Sequence, residues 1–168
     1  MRTFLLGGAR SGKSRRALSL AESVSKRRIY IATAEALDDE MADRIVRHKS
    51  ERGAGWDTLE APLALRQAIT ESCRPEQVCV VDCLTLWLSN LMHHERDPEA
   101  ETRALCAALK QANGPLILVS NELGLGLVPE TALGRAFRDA QGRLNQAVAD
   151  VCDRVEFIAA GLPMVLKG

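Results

Sequence analysis

Aromatic residues are scarce in this chain: two Trp, one Tyr and three Phe make up 4% of its 168 residues. A core must then be assembled from Leu, Val, Ile and Ala, a composition suited to helices packed on a parallel sheet. An excess of charge of either sign is also missing, since 22 Lys and Arg balance 22 Asp and Glu. That balance excludes a general nucleic-acid binder, which needs a basic surplus to neutralise phosphates. Together with 46% hydrophobic residues it also excludes intrinsic disorder. No apolar run approaches the length of a membrane span, and Phe4-Leu5-Leu6 ahead of Gly7 is too short for a signal peptide. The five cysteines form no C-x-x-C pair and sit mostly in apolar runs such as Val78-Cys79-Val80-Val81. They predict buried thiols in a reducing, cytoplasmic setting. Length and apolar content together suit a single domain over residues 1–168.

Short β-type runs alternate with longer helical patterns, the rhythm of βαβ units. Strands are predicted at Thr3 to Leu6, Arg28 to Ala32, Trp56 to Glu60, Val78 to Val81, Leu116 to Ser120 and Val155 to Ala159, with a weaker seventh at Met164 to Leu166. Helices are predicted over Lys13 to Ser25, Asp39 to Arg52, Leu63 to Ser72, Leu84 to His94, Glu99 to Asn113 and Thr131 to Cys152. Asp38 is expected to cap the second helix, Pro62 and Pro98 to occupy first turns, and Asn113-Gly114-Pro115 to act as a stop. The stretch from Asn121 to Pro129 has two glycines and no helical period. It reads as a loop at the carboxyl end of a strand, where open α/β sheets bind ligands.

Gly7-Gly8-Ala9-Arg10-Ser11-Gly12-Lys13-Ser14 fits G-x-x-x-x-G-K-[ST] between an apolar run and an amphipathic helix. Glycines let backbone N–H groups turn inward around an anion, the helix N-terminus adds its dipole, the lysine reaches the outer phosphates and the serine ligates Mg²⁺. Asp82 closes the apolar run Val78 to Val81. An aspartate after a strand is often a helix cap, but beside a P-loop it is the expected partner of Ser14 in holding the metal. The prediction is a P-loop NTPase-like (RecA-like) α/β domain, its mostly parallel sheet covered by helices on both faces, with a site for a Mg²⁺-bound nucleoside triphosphate. Asp139-Ala140-Gln141-Gly142 matches D-x-x-G but lies within a helical pattern, and N-K-x-D is absent. Switch-GTPase chemistry is thereby disfavoured, which leaves phosphoryl or nucleotidyl transfer to a small molecule.

His48 falls on the apolar stripe of its predicted helix with Met41 and Ile45, a position that suits a packed histidine as well as a reactive one. Arg44, Arg47, Lys49 and Arg52 give that helix a basic end suited to phosphate. His93 and His94 are adjacent, so on a helix they point about 100° apart and make a poor metal pair. They are expected at the surface.

Five blocks taken together resemble one family: GGARSGKSR at Gly7 to Arg15, YIATAEALDDEMADRIVRHK at Tyr30 to Lys49, W-x-T-x-E at Trp56 to Glu60, SNELGLGLVPE at Ser120 to Glu130, and FRDAQGRLNQ at Phe137 to Gln146. This is the bifunctional adenosylcobinamide kinase and adenosylcobinamide-phosphate guanylyltransferase family of cobalamin biosynthesis. The resemblance implies an enzyme that phosphorylates the aminopropanol hydroxyl of adenosylcobinamide with ATP or GTP. It then passes GMP from GTP through a histidine to the product, adenosylcobinamide phosphate. His48, ahead of Lys49 in the R-I-x-x-H-K pattern, takes the nucleophile's role, with Lys13 as its catalytic companion. Nucleotide contacts carried over from the family are Gly7 to Ser14, Ala32, Thr33, Ala34, Lys49, Ser50, Glu51, Arg52, Glu60 and Asp82, and the metal falls to Ser14 and Asp82. The resemblance also implies a homotrimer. A monofunctional P-loop kinase, with His48 serving only in packing, is the alternative.

Overall fold

The computed structural model describes residues 1–35 and 55–168; the helix expected over Asp39 to Arg52, the Asp38 cap, and His48, Lys49, Ser50, Glu51 and Arg52 lie outside the described residues. Among the described residues, seven strands form one sheet: β1 (Arg2–Gly7), β2 (Arg28–Ala32), β3 (Trp56–Glu60), β4 (Val78–Asp82), β5 (Leu116–Asn121), β6 (Arg154–Ala159) and β7 (Leu162–Lys167). Their order is β3-β2-β4-β5-β1-β6-β7, parallel throughout except for the β6–β7 hairpin. The helices are α1 (Lys13–Val24), α2 (Leu65–Ser72), α3 (Leu84–His93), α4 (Pro98–Gln111) and α5 (Ala132–Val151).

Continuously apolar runs become central strands because both faces are covered. Leu5, Val78, Val80, Ile117 and Val119 pack with Ala17 and Ala21 of α1 on one face. Phe4, Cys79, Val81, Leu116 and Leu118 pack with side chains of α2 to α5 on the other. Ala17 and Ala21 lie one turn apart and are fully buried, so small residues form the contact stripe of α1 and bring its axis close to the sheet. The opposite face carries the bulk, with Trp87, Leu88 and Leu91 of α3 buried. Each such apolar side chain contributes about 1.5–3 kcal/mol relative to exposure.

Helix boundaries follow local chemistry. Pro98 occupies the first turn of α4 as expected, and Asp97 caps it by accepting from the N–H groups of Glu99 and Ala100. Thr131 caps α5 through the N–H of Gly134. Pro62, by contrast, precedes its helix, and α2 begins only at Leu65. The reason is tertiary: the Pro62 carbonyl accepts Asn90 Nδ2 at 3.0 Å and the Leu63 carbonyl accepts Trp87 Nε1 at 3.2 Å. Those two bonds hold the bend at Pro62 and Leu63 against α3. The seventh strand is longer than expected and lies antiparallel at the sheet edge, with all six residues exposed. Four of the five cysteines are buried and Cys106 is half-buried. No helix among the described residues is long and apolar enough to cross a membrane.

Glu156 of β6 is fully buried, between Arg16 Nε at 2.9 Å and Arg154 Nε at 2.8 Å. It ties the first turn of α1 to the sheet, and the hydrogen bond from Arg16 holds its carboxyl below the usual range. A depressed carboxylate pKa stabilises the fold above the unfolded value, about 4.3, and that contribution is lost as pH falls through the folded value. Glu156→Gln is therefore expected to cost about 2–3 kcal/mol at pH 7, the two arginines being partly exposed. In thermal melts the gap from wild type should begin to narrow below about pH 4 and close only once the pH falls below the folded value. A gap that stays constant with pH would remove the ionic explanation.

Candidate nucleotide-binding site

The Gly7–Ser14 loop joins β1 to α1 and closes against the β6–β7 turn. A Cβ on Gly7 would stand 2.4 Å from the Ile158 carbonyl oxygen, so the first loop residue must be glycine. Gly12 adopts φ +99° at the N-cap of α1, and a Cβ there would meet the Gly161 Cα at 3.2 Å. Gly161 N–H donates to the Ser11 carbonyl at 2.8 Å, bracing the loop from behind. Ala160 and Gly161 both have positive φ, the requirement of a two-residue hairpin turn.

Lys13 is 7% exposed, and its ammonium donates to the Gly8 carbonyl at 2.6 Å. Burial lowers its pKa, opposed by the nearby Cys83 and Asp82. A desolvated cation folded onto its own loop is primed to exchange a carbonyl for a phosphate oxygen. Ser11 Oγ is buried without a hydrogen-bond partner among the described residues, consistent with a cradle completed by an anion.

Asp82 ends β4 and does not cap α3; the N-cap is Cys83, without a side-chain bond. Its Oδ2 accepts the Tyr30 hydroxyl at 2.9 Å. The register sets Ala32 level with both Glu60 and Asp82, so three of the nucleotide contacts expected from the sequence form one row across β3, β2 and β4. Thr33 is fully buried, and its hydroxyl bonds the Cys83 carbonyl and N–H at 2.7 and 2.8 Å. Its own carbonyl accepts Asn90 Nδ2 at 2.7 Å and its N–H reaches the Asp82 carbonyl at 3.4 Å. Thr33 therefore serves as the floor of the site, while Ala32 and Ala34 on either side are half-buried. Gly8, Ser11, Gly12 and Ser14 are half-buried, and Ala9 and Arg10 are exposed at the tip. The Ser14 hydroxyl and the Asp82 carboxylate are hard oxygen donors, the kind Mg²⁺ takes beside phosphate oxygens and water.

Sequence reasoning did not single out Tyr30 or Gly161. Tyr30 could have been found from the period of two, which sets it on the same face of β2 as Ala32. Only the strand order reveals that this face adjoins Asp82. His93 and His94 are exposed as expected, and His94 Nε2 lies 3.2 Å from a carboxylate oxygen of Glu35.

Comparison with known proteins agrees with this geometry. Residues 3–166 match the family described as cobinamide kinase/cobinamide phosphate guanyltransferase. The chain is 50% identical to the bifunctional adenosylcobalamin biosynthesis protein CobP of Pseudomonas aeruginosa, over 100% of this chain and 98% of that one. It is 38% identical to the corresponding CobU protein of Salmonella typhimurium, over 99% and 100% of the two chains. Among solved structures it resembles the RadB recombinase (TM-score 0.56, 15% identity, 93% of this chain and 73% of that one). It also resembles the flagellar accessory protein FlaH of Methanocaldococcus jannaschii (TM-score 0.55, 14% identity, 99% and 77%). These distant likenesses speak for the fold alone.

Proposed function

The chain belongs to the cobinamide kinase/cobinamide phosphate guanyltransferase family, whose two activities it carries, and we propose that both reactions run in succession on the Gly7–Ser14 loop. In the first, the alcohol oxygen of the aminopropanol arm of adenosylcobinamide attacks the γ-phosphorus of ATP or GTP, and the nucleoside diphosphate leaves. In the second, a ring nitrogen of His48 attacks the α-phosphorus of GTP, pyrophosphate leaves, and GMP remains on the imidazole. A phosphate oxygen of adenosylcobinamide phosphate then attacks that phosphorus, giving adenosylcobinamide-GDP and freeing His48. Covalent transfer divides one displacement between two bulky anions into two in-line steps.

The observation that carries this reading is the buried Lys13 ammonium, close enough to Asp82 to feel its charge, at the N-terminus of α1. Lys13 and the loop N–H groups grip the phosphates and stabilise the charge that develops on the leaving group in either reaction. Ser14 and Asp82 would hold Mg²⁺, which when bound neutralises charge on the phosphate oxygens. Ala32, Ala34 and Glu60, with Lys49, Ser50, Glu51 and Arg52, are assigned to the nucleoside side, and Thr33 to support beneath it. A homotrimer belongs to the proposal, supported by the apolar residues exposed on edge strand β7, Leu162, Met164, Val165 and Leu166. A cytoplasmic location fits the buried, unpaired thiols.

GTP labelled at the α-phosphate tests the central claim. Wild-type protein is expected to take up protein-bound GMP that is labile in acid, and adenosylcobinamide phosphate should then carry the label away. A protein that releases diphosphate in the presence of adenosylcobinamide but never retains label would be a kinase only.

A further inference from the structure

The connection from β5 to α5 exposes what a surface loop ordinarily hides. Leu125 is 82% exposed, Leu127 97% and Val128 65%, and Leu133 in the first turn of α5 is 70% exposed. Large apolar side chains gathered on one connection mark a surface that something covers. The connection is also held at both ends. At its start, Glu122 donates its N–H to the Gly7 carbonyl at 3.0 Å and accepts the Gly124 N–H on Oε1 at 2.5 Å. At its end, Arg135 Nη1 donates to the carbonyls of Pro129 and Glu130 at 3.0 and 2.7 Å, and Thr131 Oγ1 accepts the Gly134 N–H at 3.0 Å. A Cβ on Gly134 would stand 2.9 Å from the Pro129 Cβ, so the turn into α5 closes directly on that proline. Leu125, Leu127 and Val128 are thus presented outward from a braced frame.

The bond from Glu122 to Gly7 sets this frame beside the phosphate loop, and chain length limits how far its apolar residues can stand from it. The Cα of Leu125 lies within about 11 Å of that of Glu122. Adenosylcobinamide and its phosphate share a corrin ring with methyl groups on its rim, and in each the reacting oxygen lies at the end of one arm. That arm spans about 9 Å at full extension. With its end at a phosphorus held by the Gly7–Ser14 loop, the ring lies at the distance of the exposed leucines. Space there is open, since a Cβ on Gly126 would meet nothing within 4 Å among the described residues. Other exposed apolar side chains are placed elsewhere. Met1 precedes β1 and Val24 ends α1, both at the opposite edge of the sheet, Leu59 lies on the edge strand β3, and the remainder run along β7.

We infer that Leu125, Leu127, Val128 and Leu133 form the platform on which the methyl-bearing rim of the corrin ring rests in both reactions. The inference rests on the reading of the function above and adds to it the place of the acceptor. Nucleotide is then held by charge and corrinoid by apolar area. The two contributions come from different residues and can be separated.

Steady-state kinetics of a doubly substituted protein, Leu125→Ser with Leu127→Ser, tests it. The KM for adenosylcobinamide in phosphorylation is expected to rise at least about tenfold, and the KM for adenosylcobinamide phosphate in GMP transfer to rise by the same factor. Guanylylation of the protein by GTP alone, a step without corrinoid, should stay within about twofold, as should the KM for nucleotide. The melting temperature should equal that of wild type, because both side chains are already exposed. Leu125→Met with Leu127→Met retains the apolar area and should keep both corrinoid KM values within about twofold. Unchanged corrinoid KM values in the serine variant would overturn the platform. So would sedimentation of that variant as a smaller species than wild type, which would give these leucines to a second copy of the chain. Wild-type protein that turns over neither corrinoid would instead overturn the reading of the function, and the platform with it.

Discussion

Lys13→Ala is expected to slow both the phosphorylation of adenosylcobinamide and the guanylylation of the protein by at least about 1,000-fold, or ~4 kcal/mol of lost transition-state stabilisation. The size follows from the environment. The ammonium is 7% exposed and partly desolvated, so its attraction for phosphate oxygens is screened far less than that of a surface lysine. Both reactions build negative charge on an oxygen leaving phosphorus, and Lys13 at the N-terminus of α1 meets that charge in each. Stability should change little. The substitution removes a buried charge along with its hydrogen bond to the Gly8 carbonyl, and these effects oppose each other. Single-turnover rates for the two steps at saturating nucleotide, beside a thermal melt, would check this. A Lys13→Ala protein that retains one of the two steps at full rate would show that the reactions do not share the loop.

His48→Ala should separate what Lys13→Ala joins. Guanylyl transfer is expected to fall by at least about 10,000-fold, since the bond-forming atom is gone, with phosphorylation within about threefold of wild type. An imidazole attacks only when neutral, and its unperturbed pKa is near 6.5. The wild-type guanylylation rate should therefore be lost in acid, where the ring is protonated, and recover as the pH is raised. Free imidazole added to His48→Ala should restore part of the transfer. Label retained on the variant protein, or equal loss of both reactions, would deny His48 its separate role.

Much of the scaffold is legible in the sequence because its signals are local. Val78–Val81 is apolar throughout as a central strand must be, and the glycines and Lys13 of the loop announce both a turn and an anion. Asp82 is legible as a ligand only in company, because a carboxylate after a strand also suits a helix cap; in the fold the cap position goes to Cys83 and the carboxylate meets Tyr30. What stayed hidden depends on strand order. Nothing local says that β2 lies beside β4, so the pairing of Tyr30 with Asp82 cannot be read from spacing. Pro62 failed as a helix start for a related reason. Its preference for a first turn is a few tenths of local bias, overridden when α3 claims the carbonyls of Pro62 and Leu63. Thr33 shows the reverse case: a motif residue whose polar groups are directed to neighbouring backbone, at a place where sequence similarity alone suggests contact with ligand.

The β6–β7 turn gives the fold an unexpected mechanical linkage. Its tip, Gly161, is bonded to the Ser11 carbonyl, while one of its two arms is the exposed apolar strand Leu162–Lys167. The hairpin thus meets the loop at two places, Gly161 against Gly12 and Ser11, and the Ile158 carbonyl against Gly7. A substitution in the turn therefore reaches the phosphate loop without altering any residue of the loop itself.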